Sequence, residues 1–255
     1  METKKWSPAI VPDEEFNKTN LSGIPTVDEI LKQINKFSGR TSHTEFLSDV
    51  FRCGAYAISN RFDKSKYEER EEDYKRTINK YNSKDRELIA EIFADIYLLL
   101  SNQINIGFAD YLGQIYMLSN TSNNKTGQFF TPYHISKLCS ELTITDNSVK
   151  KAIDNDEILT MHEPTCGSGG MILALADILY NKYHFNIARN LFVECGDIDI
   201  RCVHMAYLQL SLAGIPAIIY HRNGLTLETW DKFETPAYIM QYHRFAKFSE
   251  NRKGR

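Results

Sequence analysis

Between residues 157 and 223 three strand-like runs, EILTMHE (157–163), NLFVECGD (190–197) and PAIIYHRN (216–223), alternate with helical runs at 171–183 and 200–213. This alternation constrains the fold more than any other feature, because strands separated by helix-length connections pair in parallel through crossovers. The expectation is an α/β fold, and ligands in such sheets bind at the carboxyl ends of the strands. That end of the first strand carries EPTCGSGGM (163–171). Gly167, Gly169 and Gly170 in a strand-to-helix turn let the backbone approach a ligand, and the helix N-terminus that follows favours negative charge. A pocket for a small molecule carrying a carboxylate or a phosphate is the first reading.

The rest of the chain divides around this region. With 255 residues, 42% of them hydrophobic, it can bury one sizeable core and a smaller appended unit. A net charge of −3 carries no global basic signature for nucleic acid. The five cysteines form no CxxC pair, which fits reduced thiols in a cytoplasmic protein. Cys195, Cys202 and His204 match no familiar zinc spacing, and no metal is expected. No apolar run approaches the roughly 18 residues needed to cross a bilayer, so no membrane contact is expected.

Residues 1–25, with Pro8, Pro12 and Pro25, read as a flexible arm, and residues 26–120 as a helical domain. TVDEILKQINKF opens with Thr26 and Glu29 in capping-box spacing. HTEFLSDVFRCGAYAISNRF and DRELIAEIFADIYLLLSNQI repeat apolar residues at helical spacing, and the charged run KSKYEEREEDYKRTINKY between them reads as a solvated helix face. SNTSNNKTG (119–127) is a linker into a second domain over 121–240. Residues 241–255 form a basic tail holding Arg244, Lys247, Arg252, Lys253 and Arg255.

The glycine spacing narrows the ligand. GSGG is not the GxGxxG of dinucleotide sites, and no Gly-Lys-Ser/Thr follows it. The second strand ends in CGDIDI, which places Asp197 and Asp199 one crossover later, where a carboxylate can accept the hydroxyls of a ribose. Glu163, at the tip of the first strand, faces the same crevice. A ligand with a ribose, a positive centre and an amino group satisfies two acids plus glycine N–H groups. S-adenosylmethionine is such a ligand.

GQFFTPYHISKLCSELT, EPTCGSGGMILALADIL and GDIDIRCVHMAYLQLSLAGI together resemble the amino-methylating DNA methyltransferases, in particular the M subunit of type I restriction–modification systems. DYLGQIYM (110–117) is similar to the segment that precedes GQFFTP in that group, and the resemblance covers about residues 110 to 228. It implies a Rossmann-like S-adenosylmethionine-dependent methyltransferase sheet with a helical N-terminal domain, and adenine-N6 methylation of DNA. By the same resemblance Phe130, Thr131 and Pro132 would lie against the methionine end of the cofactor. Glu163 would take its amino group, and Thr165, Cys166 and Gly167 would line the loop. Asp197 would hold the ribose, and Ile198 would pack on the adenine. Asn223 sits where the family often reads the adenine amine, although Asn223-Gly224 is equally a turn signal.

The sequence also departs from the family. An Asn/Asp-Pro-Pro-Tyr/Phe tetrapeptide at the end of a fourth strand normally accepts the amine protons and stacks on a flipped base. It does not occur here. TPAY is nearest, which makes Thr235, Pro236 and Tyr238 the catalytic candidates. LETWDKFE before it does not read as a buried strand, and the interval from Asn223 to Thr235 is short for a normal fourth strand. The first strand is then left with an open edge, which natural proteins cover or pair. The AYIMQY segment, the helical domain, a partner chain or a second copy is expected there. Three functional readings follow: a compact adenine methyltransferase with a diverged tetrapeptide, a non-catalytic cofactor-binding partner protein, or one half of a split enzyme.

Overall fold

The computed structural model describes residues 23–39, 41–119 and 130–245. Most of the arm, the linker and the end of the basic tail, with Phe129, Lys247, Arg252, Lys253 and Arg255, lie outside the described residues. The first helices are α1 (Val27–Ile34), α2 (His43–Phe62), α3 (Tyr67–Ile78), α4 (Ser83–Ser101), α5 (Gln103–Ile106) and α6 (Tyr111–Ser119). Then follow α7 (Tyr133–Thr143), α8 (Asp146–Asp154), β1 (Leu159–Glu163), α9 (Gly170–Tyr183), α10 (Ile187–Asn190) and β2 (Leu191–Asp197). The last elements are α11 (Ile200–Leu212), β3 (Ala217–Arg222), β4 (Thr229–Glu234) and α12 (Pro236–Met240).

Local signals start the first helices. At α1 the capping box closes as expected: Glu29 N–H donates to Thr26 Oγ1 at 3.3 Å and Thr26 N–H to Glu29 Oε2 at 2.8 Å. Ser42 and Asn82 cap α2 and α4 through their side-chain oxygens. Helices α2, α4 and α6 pack on α11. One continuous core therefore runs from Ile30, Phe46 and Ile92 to Leu173, Val193 and Ile219, joining the helical segment to the sheet.

The charged run is only partly solvated, which corrects the sequence reading. Arg70 of α3 is buried, and its guanidinium donates to Ser59 Oγ (3.0 Å), Asp63 Oδ2 (2.9 Å) and the Lys232 carbonyl (2.8 Å) while lying over the Phe233 ring. A charge pattern does not reveal such a residue, because the partners that make its burial tolerable come from α2 and β4.

The sheet has the order β1-β2-β3-β4. β1, β2 and β3 are parallel, in the register Glu163↔Cys195 and Asp197↔His221. The parallel pairing expected of the three strand-like runs holds, and β4, which lies outside those runs, adds to β3 antiparallel. TWDKFE forms a strand although it does not read as a buried one, because it needs to bury little: Phe233 is enclosed and Trp230 is exposed, as suits an edge. The short interval after Asn223 is accommodated because a hairpin, not a crossover, makes the connection.

At the other edge, no strand lies beyond β1 among the described residues. The AYIMQY segment does not fill this position, a second correction. It forms α12 and its continuation, where Tyr238 and Phe245 stack on Phe192 of β2. Arg244, assigned to the free tail, is pinned to the Arg189 carbonyl (3.1 Å) and to Asp156 (3.1 Å).

Helix α7 packs on α9 with its polar side inward. Tyr133, Ser136 and Ser140 are buried, whereas Ile135, Leu138 and Leu142 are 39%, 52% and 78% exposed. The positions i, i+3 and i+7 are those a helix normally buries. Here that stripe faces away from the described core.

Candidate functional site

The cleft lies at the carboxyl ends of β1 and β2 and has a volume of about 280 Å³. Its walls include Phe130, Thr131, Glu163, Thr165, Cys166, Gly167 and Asp197, seven of the ten residues expected to hold a cofactor. Asp110, Ser136, Ser168, Gly170 and Met171 complete it. Sequence reasoning missed these five as site residues, although Asp110 opens the DYLG segment and Ser168 and Gly170 belong to the glycine loop itself.

The loop is built by local chemistry. Gly167 and Gly169 have φ of 54° and 98°, a backbone region that residues with a Cβ seldom adopt. Phe130 packs directly over Gly167, and a Cβ there would approach its ring to 3.0 Å. Cys166 N–H donates to the Gly196 carbonyl at 2.9 Å, which ties the loop to β2. The neighbouring Cys195 side chain, together with burial, holds the Cys166 thiol well above its ordinary range, so it lines the cleft as a neutral group.

Asp197 organises the end of β2. Its Oδ2 accepts from Gly167 N–H and its Oδ1 from Asp199 N–H, both at 2.9 Å. Each oxygen keeps a lone pair for a further donor. Glu163 Oε1 accepts from Thr165 N–H at 3.2 Å. Asp199 is used otherwise: it caps α11 through Arg201 N–H (2.9 Å) and pairs with the Arg201 guanidinium.

Among the described residues the walls carry three carboxylates, Asp110, Glu163 and Asp197, and no lysine, arginine or histidine. The alternative of a phosphate ligand is therefore poorly matched. A ligand rich in hydroxyl donors and bearing a positive charge suits this lining better.

Three expected cofactor residues stand outside the walls. Pro132 is the N-cap of α7. Ile198 is 61% exposed at the end of β2. Asn223 is used as the turn residue: its Oδ1 accepts from Leu225 N–H (2.9 Å) and Thr226 N–H (3.2 Å).

The three catalytic candidates lie at the opposite end of the sheet, and this corrects the TPAY reading. Thr235 is fully buried beside the start of β3, where its Oγ1 donates to the Ile215 carbonyl (2.8 Å) and accepts from Ala217 N–H (2.9 Å). It caps α12, Pro236 takes the first helical position, and Tyr238 is enclosed by Phe192 and Phe245. Ala217 pairs with Val193, four residues before Asp197, which is about 13 Å along the strand. A cap and an aromatic stack explain these residue types without chemistry.

Solved structures similar to this chain include two methyltransferases. One is assigned as a class I S-adenosylmethionine-dependent methyltransferase from Listeria monocytogenes, with 15% identity over 71% of this chain and a TM-score of 0.36. The other is the methyltransferase subunit of a type I restriction–modification system from Streptococcus thermophilus, with 19% identity over 81% of this chain and a TM-score of 0.41. This chain spans 54% and 40% of their lengths. No curated protein matches the sequence significantly. The family model for N-6 DNA methylase matches residues 108–253, which hold the glycine loop, Glu163 and Asp197. With more than half its length matched in this way, the chain belongs to the N-6 DNA methylase family.

Proposed function

We propose that the chain is the S-adenosylmethionine-binding part of an adenine-N6 DNA methyltransferase of the restriction–modification M-subunit type, and that a second polypeptide completes it along the free edge of β1. The observation that carries the reading is the cleft. Glu163 and Asp197, at the ends of adjacent parallel strands, flank a glycine loop in a lining that has no basic side chain among the described residues. In it Asp197 accepts ribose hydroxyls, Glu163 accepts the ligand's amino group, and Phe130 and Thr131 close the side of the loop.

The partner reading rests on two further features. β1 has no second neighbour among the described residues, and α7 presents Ile135, Leu138 and Leu142 outward. An unpaired strand edge and an apolar helix stripe are both features that proteins ordinarily cover. The displacement of Thr235 from the cleft favours a catalytic segment brought to the cleft from outside the described residues. DNA is the substrate in this reading, and the cytoplasm its compartment. No helix among the described residues is long and apolar enough to cross a membrane.

Calorimetric titration with S-adenosylmethionine tests the cofactor. Asp197→Ala weakens binding by about 1–3 kcal/mol, the usual cost of removing a buried hydrogen-bonding partner. Absence of heat and of any thermal shift at saturating cofactor refutes the reading. Methyl transfer to adenine-containing DNA, assayed with and without cell extract, separates a split enzyme from a non-catalytic binding protein.

A further inference from the structure

The glycine loop is braced by a network of buried polar side chains, two of which, Asp110 and Ser168, also reach the cleft wall. Asp110, Ser168 and Gln209 are each at least nine-tenths buried, and they come from the start of α6, from the loop and from α11. Asp110 Oδ1 accepts from Gly113 N–H (2.9 Å) and Gln209 Nε2 (2.8 Å), and its Oδ2 accepts from Ser168 Oγ (2.6 Å). Gln209 Nε2 also donates to the Ser168 carbonyl (2.7 Å), while its Oε1 accepts from Leu112 N–H (3.1 Å). Every polar atom of the Gln209 side chain is thus committed to joining α6 to the loop.

Two glycines make room for the same carboxylate. A Cβ on Gly113 would overlap Asp110 Oδ2, and one on Gly170 would approach that oxygen to 3.0 Å. Gly170, itself a residue of the cleft wall, thus also makes room for Asp110. Asp110 and Ser168 stand 58 residues apart in the sequence, yet the DYLG and GSGG segments meet as one unit around this carboxylate. Burial raises the Asp110 pKa, and the donors from Ser168, Gln209 and Gly113 oppose that rise.

We infer that Asp110 is a positioning residue for the cofactor loop: through Ser168 and Gln209 it holds the Gly167–Gly170 backbone in the shape that the ligand meets. The inference deepens the cofactor reading and rests on it for the binding measurement alone. Hydrogen exchange of the loop amides in the ligand-free protein, compared among wild type, Asp110→Ala, Asp110→Asn and Ser168→Ala, tests it directly.

Asp110→Ala speeds exchange at Gly167–Gly170 by at least about tenfold and weakens S-adenosylmethionine binding by a similar factor, as expected for lost hydrogen bonds to a buried carboxyl group. Asp110→Asn keeps the acceptor for Gly113 and Gln209 and offers its amide to Ser168 Oγ, so both readouts stay within about threefold of wild type. Ser168→Ala, which removes only the hydroxyl, is expected to show the loop effect without a matching fall in Tm. Loop exchange unchanged in both Asp110→Ala and Ser168→Ala overturns the inference. So does a loss of protection spread evenly over α9, β2 and α11. If the wild type binds no S-adenosylmethionine, the cofactor reading fails, and the exchange measurement still decides the role of Asp110.

Discussion

The two edges of the sheet are finished differently. β4 closes its edge with polar and charged residues, and the helical segment clamps it: Lys66 pairs with Asp231 at 2.5 Å, and Arg70 reaches the Lys232 carbonyl. β1 has no such clamp among the described residues. Elsewhere on the surface α7, which packs on α9, turns Ile135, Leu138 and Leu142 outward. Charged edges and covered edges resist further pairing, whereas an open edge invites it, and exposed apolar surface invites cover of its own. Among the described residues the sheet is therefore terminated on one side and open on the other.

Removing the clamp has the largest expected effect. Arg70→Ala leaves Asp63 and the Lys232 carbonyl without their buried donor, and is expected to cost about 3–5 kcal/mol in urea unfolding. Arg70→Lys recovers little, because one ammonium cannot reproduce the fork that spans α2 and β4.

A smaller effect comes from pH on the same side. His204 is buried against Tyr56 and Phe233, and burial pushes its pKa down to about 3. The unfolded chain takes up a proton near pH 6.5 while the folded chain does not, so this contribution is complete above that pH and is lost as pH falls toward 3. The slope is about 1.4 kcal/mol per pH unit, or about 2 kcal/mol between pH 6.5 and 5. His204→Phe should flatten that part of the stability profile in chemical denaturation.

Thr235→Ala removes a cap and two backbone contacts at the end of β4, for about 1–2 kcal/mol of stability. Cofactor affinity should stay at the wild-type value in the same preparation. A selective loss of affinity without loss of stability contradicts the placement of TPAY away from the cleft.

Leu138→Asp on α7 has the smallest expected effect on the isolated chain, within about 0.5 kcal/mol, because the residue is half exposed. Its effect should instead appear in association: capture of a partner polypeptide falls while Tm is unchanged. A destabilisation as large as that of Arg70→Ala shows that the stripe is already packed.

Much of this arrangement is legible in the residues. The strands at 159–163, 191–197 and 217–222, the helices that follow the first two, and the acids at the tips of β1 and β2 all lie where hydrophobic runs and the glycine loop put them. Those signals are local, since a strand run, a turn and a helix start each depend on a few neighbouring residues. β4 is less legible because an edge strand buries only one large side chain, Phe233. TPAY misleads because a Thr-Pro start serves a helix cap as readily as it imitates a catalytic segment.

Short-range pattern is enough for the α/β alternation, the glycine loop and the meeting of Glu163 with Asp197 at one crevice, because period and spacing act within short segments. The folded chain was needed to show that Arg70 is buried, that Gly170 makes room for Asp110, that Asn223 serves a turn, and that Thr235 sits at the far end of the sheet. Arg70, Gly170 and Thr235 depend on partners distant in the sequence, and Asn223 on which of two local uses the hairpin selects. Only three-dimensional packing sets which buried polar group finds a donor or acceptor.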